Sequence, residues 1–450
     1  MREFDVVVIG AGAAGEVTAG RLGQSGLSVA IVEQGLVGGD CSFYACMPSK
    51  ALLRPVELAN EVRRVPGLEV GPIDAAAVLA RRDEVIHDLD DSAQVPWLEQ
   101  HHVTLVRGRA RIAGKLTVEI DGAESLKARR AVVVATGSTA TIPDIPGLRD
   151  SNPWTNRQAT TAHEVPRRLG ILGGGVVGAE MAQAWGALGS KVTLVHRGKR
   201  LLEREEPFAG EQVGEALAAL GVDIRLGTRV TQVARDGSFA IALDDDTTVE
   251  VDELLVAVGR TPGTHAIGLE ALGLEAGKPL AVGDDLRVPG HDWLFAVGDV
   301  NGRAQLTHMG KYQGRVAADA ILGREAKLRS DGGQSPRVIF TDPQVGAVGL
   351  TLAAAQEAGL EVRWVDVDTG GNAGGSFIGR GAPGTSRLVV DEQRRIVVGA
   401  TITGAEIAEA LHAATIAVVA EVSLTDLWHA VPSFPTRSEL WLRLLEAYGL

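Results

Sequence analysis

Cysteine is nearly absent, with two residues in a chain of 450. That excludes a disulfide-stapled secreted scaffold and any zinc site needing three or four cysteines. An excess of positive charge is absent too. Against 44 Lys and Arg stand 57 Asp and Glu, a formal net charge of −13, which argues against a polyanion partner such as nucleic acid. No stretch reaches about 18 consecutive apolar residues, so no spanning helix and no membrane role are expected. The start, Met1 to Gly15, carries Arg2, Glu3 and Asp5 and has spaced glycines where a signal peptide has a leucine-rich core. It reads as a first strand and turn. The expected compartment is the cytoplasm, where two cysteines close in sequence point to catalysis. His101 and His102 are the only adjacent histidines; chain neighbours rarely ligate one metal together, and no metal site is expected.

Glycine, in contrast, is abundant: 56 residues, about 12% against a usual 7%. Much of it sits in turns after apolar runs. Val6-Val7-Val8-Ile9 lacks polar alternation, as expected for a parallel strand buried on both faces. It is followed by Gly10-Ala11-Gly12-Ala13-Ala14-Gly15, a helix to about Gln24, and a second apolar run from Ser28 to Val32 ending at Glu33. A second unit of the same form starts near Gly170. Its strand is Leu169 to Leu172, its turn Gly173-Gly174-Gly175-Val176-Val177-Gly178, its helix Ala179 to Leu188, and its next strand Lys191 to Val195. Further buried strands end in Ala135-Thr136-Gly137, Ala257-Val258-Gly259-Arg260 and Gly298-Asp299. Pro143, Pro146 and Gly147 mark a boundary. From about Arg337 the pattern turns to antiparallel strands and helices.

The first glycine turn has the residues a dinucleotide needs. Gly10 allows the tight turn, Gly12 a close backbone approach to a pyrophosphate, and Gly15 close helix–strand packing. The helix N-terminus presents unpaired N–H groups to the phosphates. Glu33, 18 residues after Gly15, sits where an acid can hydrogen-bond a ribose diol. In the second turn Gly173, Gly175 and Gly178 repeat the pattern. The strand after them ends in His196-Arg197, followed by Lys199 and Arg200. Cations there suit a ribose 2′-phosphate, so NADPH is expected over NADH; the alternative is a solvated basic loop.

The segment Gly38-Gly39-Asp40-Cys41-Ser42-Phe43-Tyr44-Ala45-Cys46-Met47-Pro48-Ser49-Lys50 is the most specific. In a regular helix, Cα atoms five residues apart are about 8 Å apart, whereas a disulfide needs less than about 7 Å. Bridging Cys41 and Cys46 therefore requires a distorted turn. A strained, exposed bridge suits catalysis, and a helix start stabilises a thiolate. Two unbridged thiols packed in a core remain the other reading of the spacing alone.

These motifs, in this order, resemble the pyridine nucleotide-disulfide oxidoreductases, the group of glutathione reductase, dihydrolipoamide dehydrogenase and mercuric reductase. The resemblance covers essentially the whole chain. Gly10 to Gly15 with Glu33 resembles the family's FAD motif, and Gly38 to Lys50, including Gly39, its redox-disulfide motif. The turns at Ala135-Thr136-Gly137 and Gly259-Arg260 resemble its strand-end turns. Asp299 resembles the aspartate that holds the flavin's ribityl chain, and Phe340-Thr341-Asp342-Pro343 the start of its dimerisation domain. The fold implied is α/β, with two Rossmann-like domains binding FAD and NAD(P) and an α+β C-terminal domain. The boundaries are 1–150 with 264–330 for FAD, 151–263 for NAD(P), and 331–450 for the interface of a homodimer whose active site is shared between subunits.

The resemblance implies electron flow from NADPH through FAD to a Cys41–Cys46 disulfide and on to a small substrate. Cys46 would face the flavin and Cys41 the substrate. Lys50 would lie near the flavin and pair with Glu180, for which an ordinary acid in a first helical turn is the alternative. His308 would pass beside the isoalloxazine in a structural role.

The chain departs from the family in three places. Where the family has H-P-T-x-x-E, supplying a His–Glu acid–base pair from the partner subunit, this chain has Phe434-Pro435-Thr436-Arg437-Ser438-Glu439. Phenylalanine carries no transferable proton, and general acid–base help is worth about 10²–10⁴-fold. Tyr44 and His429 are candidate substitutes. Second, both cysteines are used in one motif, leaving none for the C-terminal groups of mercuric and large thioredoxin reductases. Third, Asp40 stands where the family usually has threonine, placing a negative charge beside Cys41 that disfavours its thiolate unless it is bonded elsewhere.

The expected function is NADPH-dependent reduction of a sulfur-containing or other electrophilic substrate through Cys41–Cys46. The alternatives are direct reduction of quinones or dyes, a flavin redox sensor of low turnover, and thioether cleavage. The last is similar to 2-ketopropyl-coenzyme M oxidoreductase/carboxylase, which also has phenylalanine at the base position but differs from this chain at the Glu439 position.

Overall fold

The structure is a computed structural model and describes residues 1–121 and 124–450. The chain folds as two compact units. The first comprises 1–48, 83–141 and 259–332, the second 49–82, 142–258 and 333–450.

In the first unit, among the described residues, seven strands form one sheet. The strand Arg2–Ile9 lies between Val29–Glu33 and Ser125–Val134, parallel to both, and Val103–Arg107 extends the sheet beyond Val29–Glu33. Alternate residues of Arg2–Ile9 feed two different cores. Val7 and Ile9 pack with Val132 and Leu294, while Val6 and Val8 pack with Leu22, Ile31 and Phe295. All four are 0–3% exposed, which explains why the run has no polar alternation. Leu294–Ala296 adds to Ser125–Val134 in parallel and delivers the chain to Gly298 and Asp299. A short antiparallel pair, Ser138–Ala140 with Arg260–Pro262, places Arg260 opposite Ala140.

In the second unit, four parallel strands are ordered Asp223–Leu226, Lys191–His196, Arg168–Leu172, Glu253–Val256. A five-stranded antiparallel sheet follows from Arg337 to Gly404, as the change of pattern near Arg337 suggested. Residues 49–82, within the sequence-based 1–150 segment, belong to this unit by packing. Leu52, Leu53, Val78 and Leu79 share a core with Leu169, Trp185 and Leu194.

The two glycine turns obey the same steric rule. Gly10 has φ +102°, and a Cβ there would lie 2.5 Å from the carbonyl oxygen of Ala135; a Cβ on Gly15 would lie 2.0 Å from the oxygen of Gly10. In the second unit Gly173 has φ +118° and would meet the oxygen of Ala257 at 2.4 Å, and Gly178 that of Gly173 at 1.9 Å. The third glycine is therefore required for helix–strand contact, whereas a Cβ on Gly175 meets nothing within 4 Å. Gly178→Ala is expected to cost about 1–3 kcal/mol of stability by overpacking, and Gly175→Ala less. Urea unfolding of the two variants checks this; equal losses would contradict the steric account.

Candidate active site

The first glycine turn leads into the helix Ala13–Gln24, whose N-cap is Gly12 with no side-chain cap. Its first-turn N–H groups therefore remain available to an anion. Gly12 is also approached by Gly39, where a Cβ would lie 2.9 Å from the Gly12 Cα. Glu33 curls over this turn: its carboxylate accepts from the N–H of Ala11 at 2.7 Å and of Gly35 at 2.6 Å. Carboxylate oxygens carry further lone pairs, so a ribose hydroxyl can still donate to it. Thr136 Oγ1 donates to the carbonyl of Gly263 at 2.6 Å, and Gly137 lies next with φ +65°. This region offers open N–H donors to an anion and a carboxylate acceptor to a hydroxyl group.

Cys41 lies in the short helix Gly39–Phe43 and Cys46 opens the helix Cys46–Arg64. The backbone breaks between them at Tyr44, with φ −134° and ψ 3°, so the pair spans a distorted turn and not a continuous helix. The cysteines are not joined by a disulfide in this structure. The Cys41 thiol hydrogen-bonds Cys46, and that contact, followed by burial, pushes its pKa strongly up; the Thr307 hydroxyl and Lys311 oppose the rise. Cys46 Sγ is 3.3 Å from Thr307 Oγ1. Thr307 starts the 15-residue helix Thr307–Ile321, whose positive end favours thiolate. His308, the next residue, is exposed. Thr307 was not recognisable from sequence as a functional residue; its only signal was its place immediately before His308.

Asp40 is not an isolated charge. Its Oδ2 is 3.2 Å from a guanidinium nitrogen of Arg260. Arg260 also donates through Nε to Ser138 Oγ at 2.6 Å and through Nη2 to the Ser138 carbonyl at 2.7 Å. Ser138 Oγ in turn donates to Asp299 Oδ2 at 2.5 Å, and Arg260 Nε lies 3.6 Å from the same oxygen. Burial raises the Asp299 pKa, against the pull of Ser138 and Arg260, and Asp40 adds to the rise.

In the second unit, Lys50 Nζ donates to Glu180 Oε2 at 2.7 Å and lies 4.7 Å from the centre of the Phe340 ring. Glu180 is buried and its other oxygen accepts from the Phe340 N–H at 2.9 Å. The pair expected from the resemblance is thus formed, and Glu180 is more than a first-turn acid. The second glycine turn opens the helix Val176–Ala187 at Gly175, again without a side-chain cap. Of the expected cations beyond it, His196 packs on the turn: a Cβ on Gly174 would lie 2.8 Å from its ring. Its Nε2 is 3.7 Å from Glu203, but burial lowers its pKa, which favours the neutral ring at pH 7. Arg197 and Lys199 are exposed; Arg200 Nη2 donates to the carbonyl of Glu203. The positive charge at this strand end therefore belongs to the arginines and the lysine. Gly259 belongs to the first unit; it has φ +150°, and its carbonyl accepts from the Thr141 N–H of the same unit.

At the C-terminal motif the two positions diverge. Phe434 is 77% exposed, whereas Glu439 is 7% exposed and accepts from the N–H of Gly374 at 3.3 Å. His429 ends the helix Leu424–His429 and is exposed, and Tyr44 packs its ring 6.5 Å from that of Phe43. No helix is long and apolar enough to cross a membrane, and no cluster of three or more metal-ligating side chains occurs among the described residues.

Glu16, in the first turn of the helix Ala13–Gln24, is a further titratable group near this site that sequence reasoning passed over. Burial raises its pKa to about 7, Lys311 opposes the rise and Glu33 adds to it. The folded chain thus holds a proton that the unfolded chain releases near pH 4.3. Stability contributed by this residue falls as pH rises from about 4.3 to 7 and stays low above. Glu16→Gln is expected to melt higher than the parent protein at pH 8 and to converge with it near pH 4. Parallel melting curves with no pH-dependent gap would contradict this assignment.

Comparison with known proteins agrees with the geometry. Residues 4–314 match the family model described as pyridine nucleotide-disulphide oxidoreductase, and 335–444 match the dimerisation domain of the same group. The chain is 30% identical to the mercuric reductase of Staphylococcus aureus over 97% of its own length and 81% of that protein. It is 32% identical to the dihydrolipoyl dehydrogenase of Haloferax volcanii over 98% and 95%. Among solved structures, the HOCl-induced flavoprotein disulfide reductase RclA from Escherichia coli superposes with a TM-score of 0.85 at 25% identity, covering 98% of this chain and 99% of that one. LpdA from Mycobacterium tuberculosis superposes at 0.87 and 24% identity over the whole of both chains, which shows the shared fold. Two uncapped glycine turns, a cysteine pair on a broken helix and matches spanning nearly all of the chain make this protein a member of the pyridine nucleotide-disulfide oxidoreductases, and an oxidoreductase.

Proposed function

We propose that the protein is an NADPH-dependent flavoprotein reductase that delivers two electrons through Cys41 and Cys46 to a small electrophile, with a sulfur compound as the leading class. It would act as a cytoplasmic homodimer. The observation that carries this reading is the hydrogen-bonded pair of thiols at Cys41 and Cys46, with Cys46 against Thr307 at the start of a long helix. The residues present fit the cofactors. FAD would be held by the uncapped turn at Gly12, the Glu33 carboxylate and Asp299; NADPH by the uncapped turn at Gly175 with Arg197 and Lys199. Bound there, the two cofactors would supply hydride acceptance and delivery.

The chain's own residues would do the rest. With a disulfide substrate, the Cys41 thiolate attacks one sulfur and expels a thiolate, forming a mixed disulfide. The Cys46 thiolate then attacks the Cys41 sulfur and releases the second thiolate. Two electrons leave the dithiol, one Cys41–Cys46 bond forms and one substrate S–S bond breaks. A basic leaving thiolate needs a proton as it departs, and Phe434 offers none. Acceptors with acidic leaving thiols, which depart without protonation, are therefore favoured. Mercuric reduction is not part of this reading, since both cysteines are used in one pair. Direct reduction of quinones or dyes is the second reading, favoured by the same Phe434, because it needs no thiol protonation.

Three outcomes test the proposal. Cys41→Ser is expected to abolish turnover of disulfide acceptors; unchanged turnover of the preferred acceptor would establish the direct route instead. Phe434→His is expected to raise kcat on disulfides with basic leaving thiols by about tenfold or more, a part of the usual general-acid gain; no gain would mean that another group already donates the proton. In rapid-mixing reduction, NADPH is expected to outperform NADH, with Arg197→Ala narrowing the gap through KM. Equal rates with both nucleotides would remove the case for a 2′-phosphate site.

A further inference from the structure

The carboxylate next to the attacking cysteine is unexpected chemistry for a thiol that must ionise. A charge one residue away disfavours thiolate unless something compensates it. The compensation is visible in the first unit. Arg260 reaches Asp40 at 3.2 Å, and its Nε lies 3.6 Å from Asp299. Ser138 holds the guanidinium through both its hydroxyl and its carbonyl, at 2.6 and 2.7 Å, and its hydroxyl donates a hydrogen bond to Asp299 at 2.5 Å. One cation thus serves two carboxylates, and each of the three side chains is only about a quarter exposed. The backbone places Arg260 there for a local reason: the strand Arg260–Pro262 pairs antiparallel with Ser138–Ala140.

We propose that Arg260 is a positioning residue for Cys41. By sharing its guanidinium between Asp40 and Asp299, it neutralises the carboxylate beside the thiol and ties the redox loop to the Asp299 turn. The fork geometry of arginine suits this, because separate nitrogens meet separate acceptors. The groups that bear on Cys41 are the Cys46 thiol, the Thr307 hydroxyl and Lys311. Asp40 adjoins it in the chain, with Arg260 and Asp299 behind. Of these, Asp40 is the group whose charge Arg260 cancels. The proposal rests on reading Cys41 as the thiol that attacks substrate.

The experiment measures the pH dependence of Cys41 alkylation by iodoacetamide in dithiothreitol-reduced, desalted holoenzyme, with peptide mapping to separate Cys41 from Cys46. Arg260→Gln is expected to raise the midpoint by about one pH unit, the low end of the range for a nearby charge. Asp40→Asn, which leaves the guanidinium less compensated, is expected to lower it. The double variant is expected to return to the parent midpoint. A double variant that keeps the Arg260→Gln midpoint would overturn the proposal, because a merely structural arginine would not be rescued by removing Asp40. Should Arg260→Gln fail to retain flavin, Ser138→Ala, which removes the hydroxyl that holds the guanidinium, takes its place: a raised midpoint that Asp40→Asn cancels supports the proposal, and an unmoved one overturns it. These outcomes are separable from the functional reading. Unchanged turnover in Cys41→Ser would sink that reading and leave the alkylation profile as it is.

Discussion

Both glycine turns bring a helix so close to a strand that a methyl group at the third glycine would fall about 2 Å from a carbonyl oxygen. The N-caps are a separate matter: Gly12 and Gly175 have room for a Cβ, yet both positions are glycine, with no hydroxyl or carboxylate to accept from the first-turn N–H groups. A helix that keeps those donors open foregoes about 1 kcal/mol that a serine or aspartate cap would contribute. It gains a place for a phosphate. Glu33 accepts from the Ala11 N–H at the start of the turn, ahead of the helix N-terminus, and from the Gly35 N–H, so part of its charge is taken up by backbone donors outside the first helical turn. Burial near these acids keeps Glu16 protonated close to neutrality, which limits the negative charge that an incoming anion meets.

Charge is managed in the same way around the thiols. Thr307, the positive end of the helix Thr307–Ile321 and Lys311 favour thiolate; burial and the partner thiol oppose it. Asp40 would tip that balance further against ionisation if it stood alone. Its contact with Arg260 removes the penalty without removing the carboxylate. The negative charge that the sequence placed beside Cys41 is therefore one member of a small network of Asp40, Arg260, Ser138 and Asp299.

Much of this was legible in the residues. The buried parallel strands, both glycine turns and the antiparallel C-terminal sheet follow from hydrophobic runs and turn chemistry, and the structure has them at nearly the same residues. The Lys50–Glu180 pair was implied by resemblance and is formed. What sequence could not show are contacts between segments far apart in the chain. Arg260 and Asp40 are 220 residues apart and Thr307 and Cys46 are 261 apart; neither pair has a periodicity or a spacing that would announce it. The packing of 49–82 with Trp185 and Leu194 was hidden for the same reason. His196 shows the opposite limit. Residue type alone made it a cation, whereas its place against Gly174 lowers its pKa and favours the uncharged form.

The two ends of the C-terminal motif are held in different ways. Glu439 is buried and accepts from the Gly374 backbone. A Cβ on Gly374 would lie 2.0 Å from the Thr436 carbonyl carbon, so the glycine-rich loop and the segment 436–439 are packed as one piece. Removing the carboxylate would strand a buried N–H, at a cost of about 1–3 kcal/mol. Phe434 has no comparable role within the chain: most of its surface is exposed, beside Val431, which is 82% exposed. The glutamate is therefore held by folding, whereas Phe434, five residues earlier, is not held by burial. Retention of Glu439 is thus no sign that acid–base catalysis is retained, and the search for a proton donor belongs at the thiol loop, where Tyr44 adjoins the break between the two cysteines.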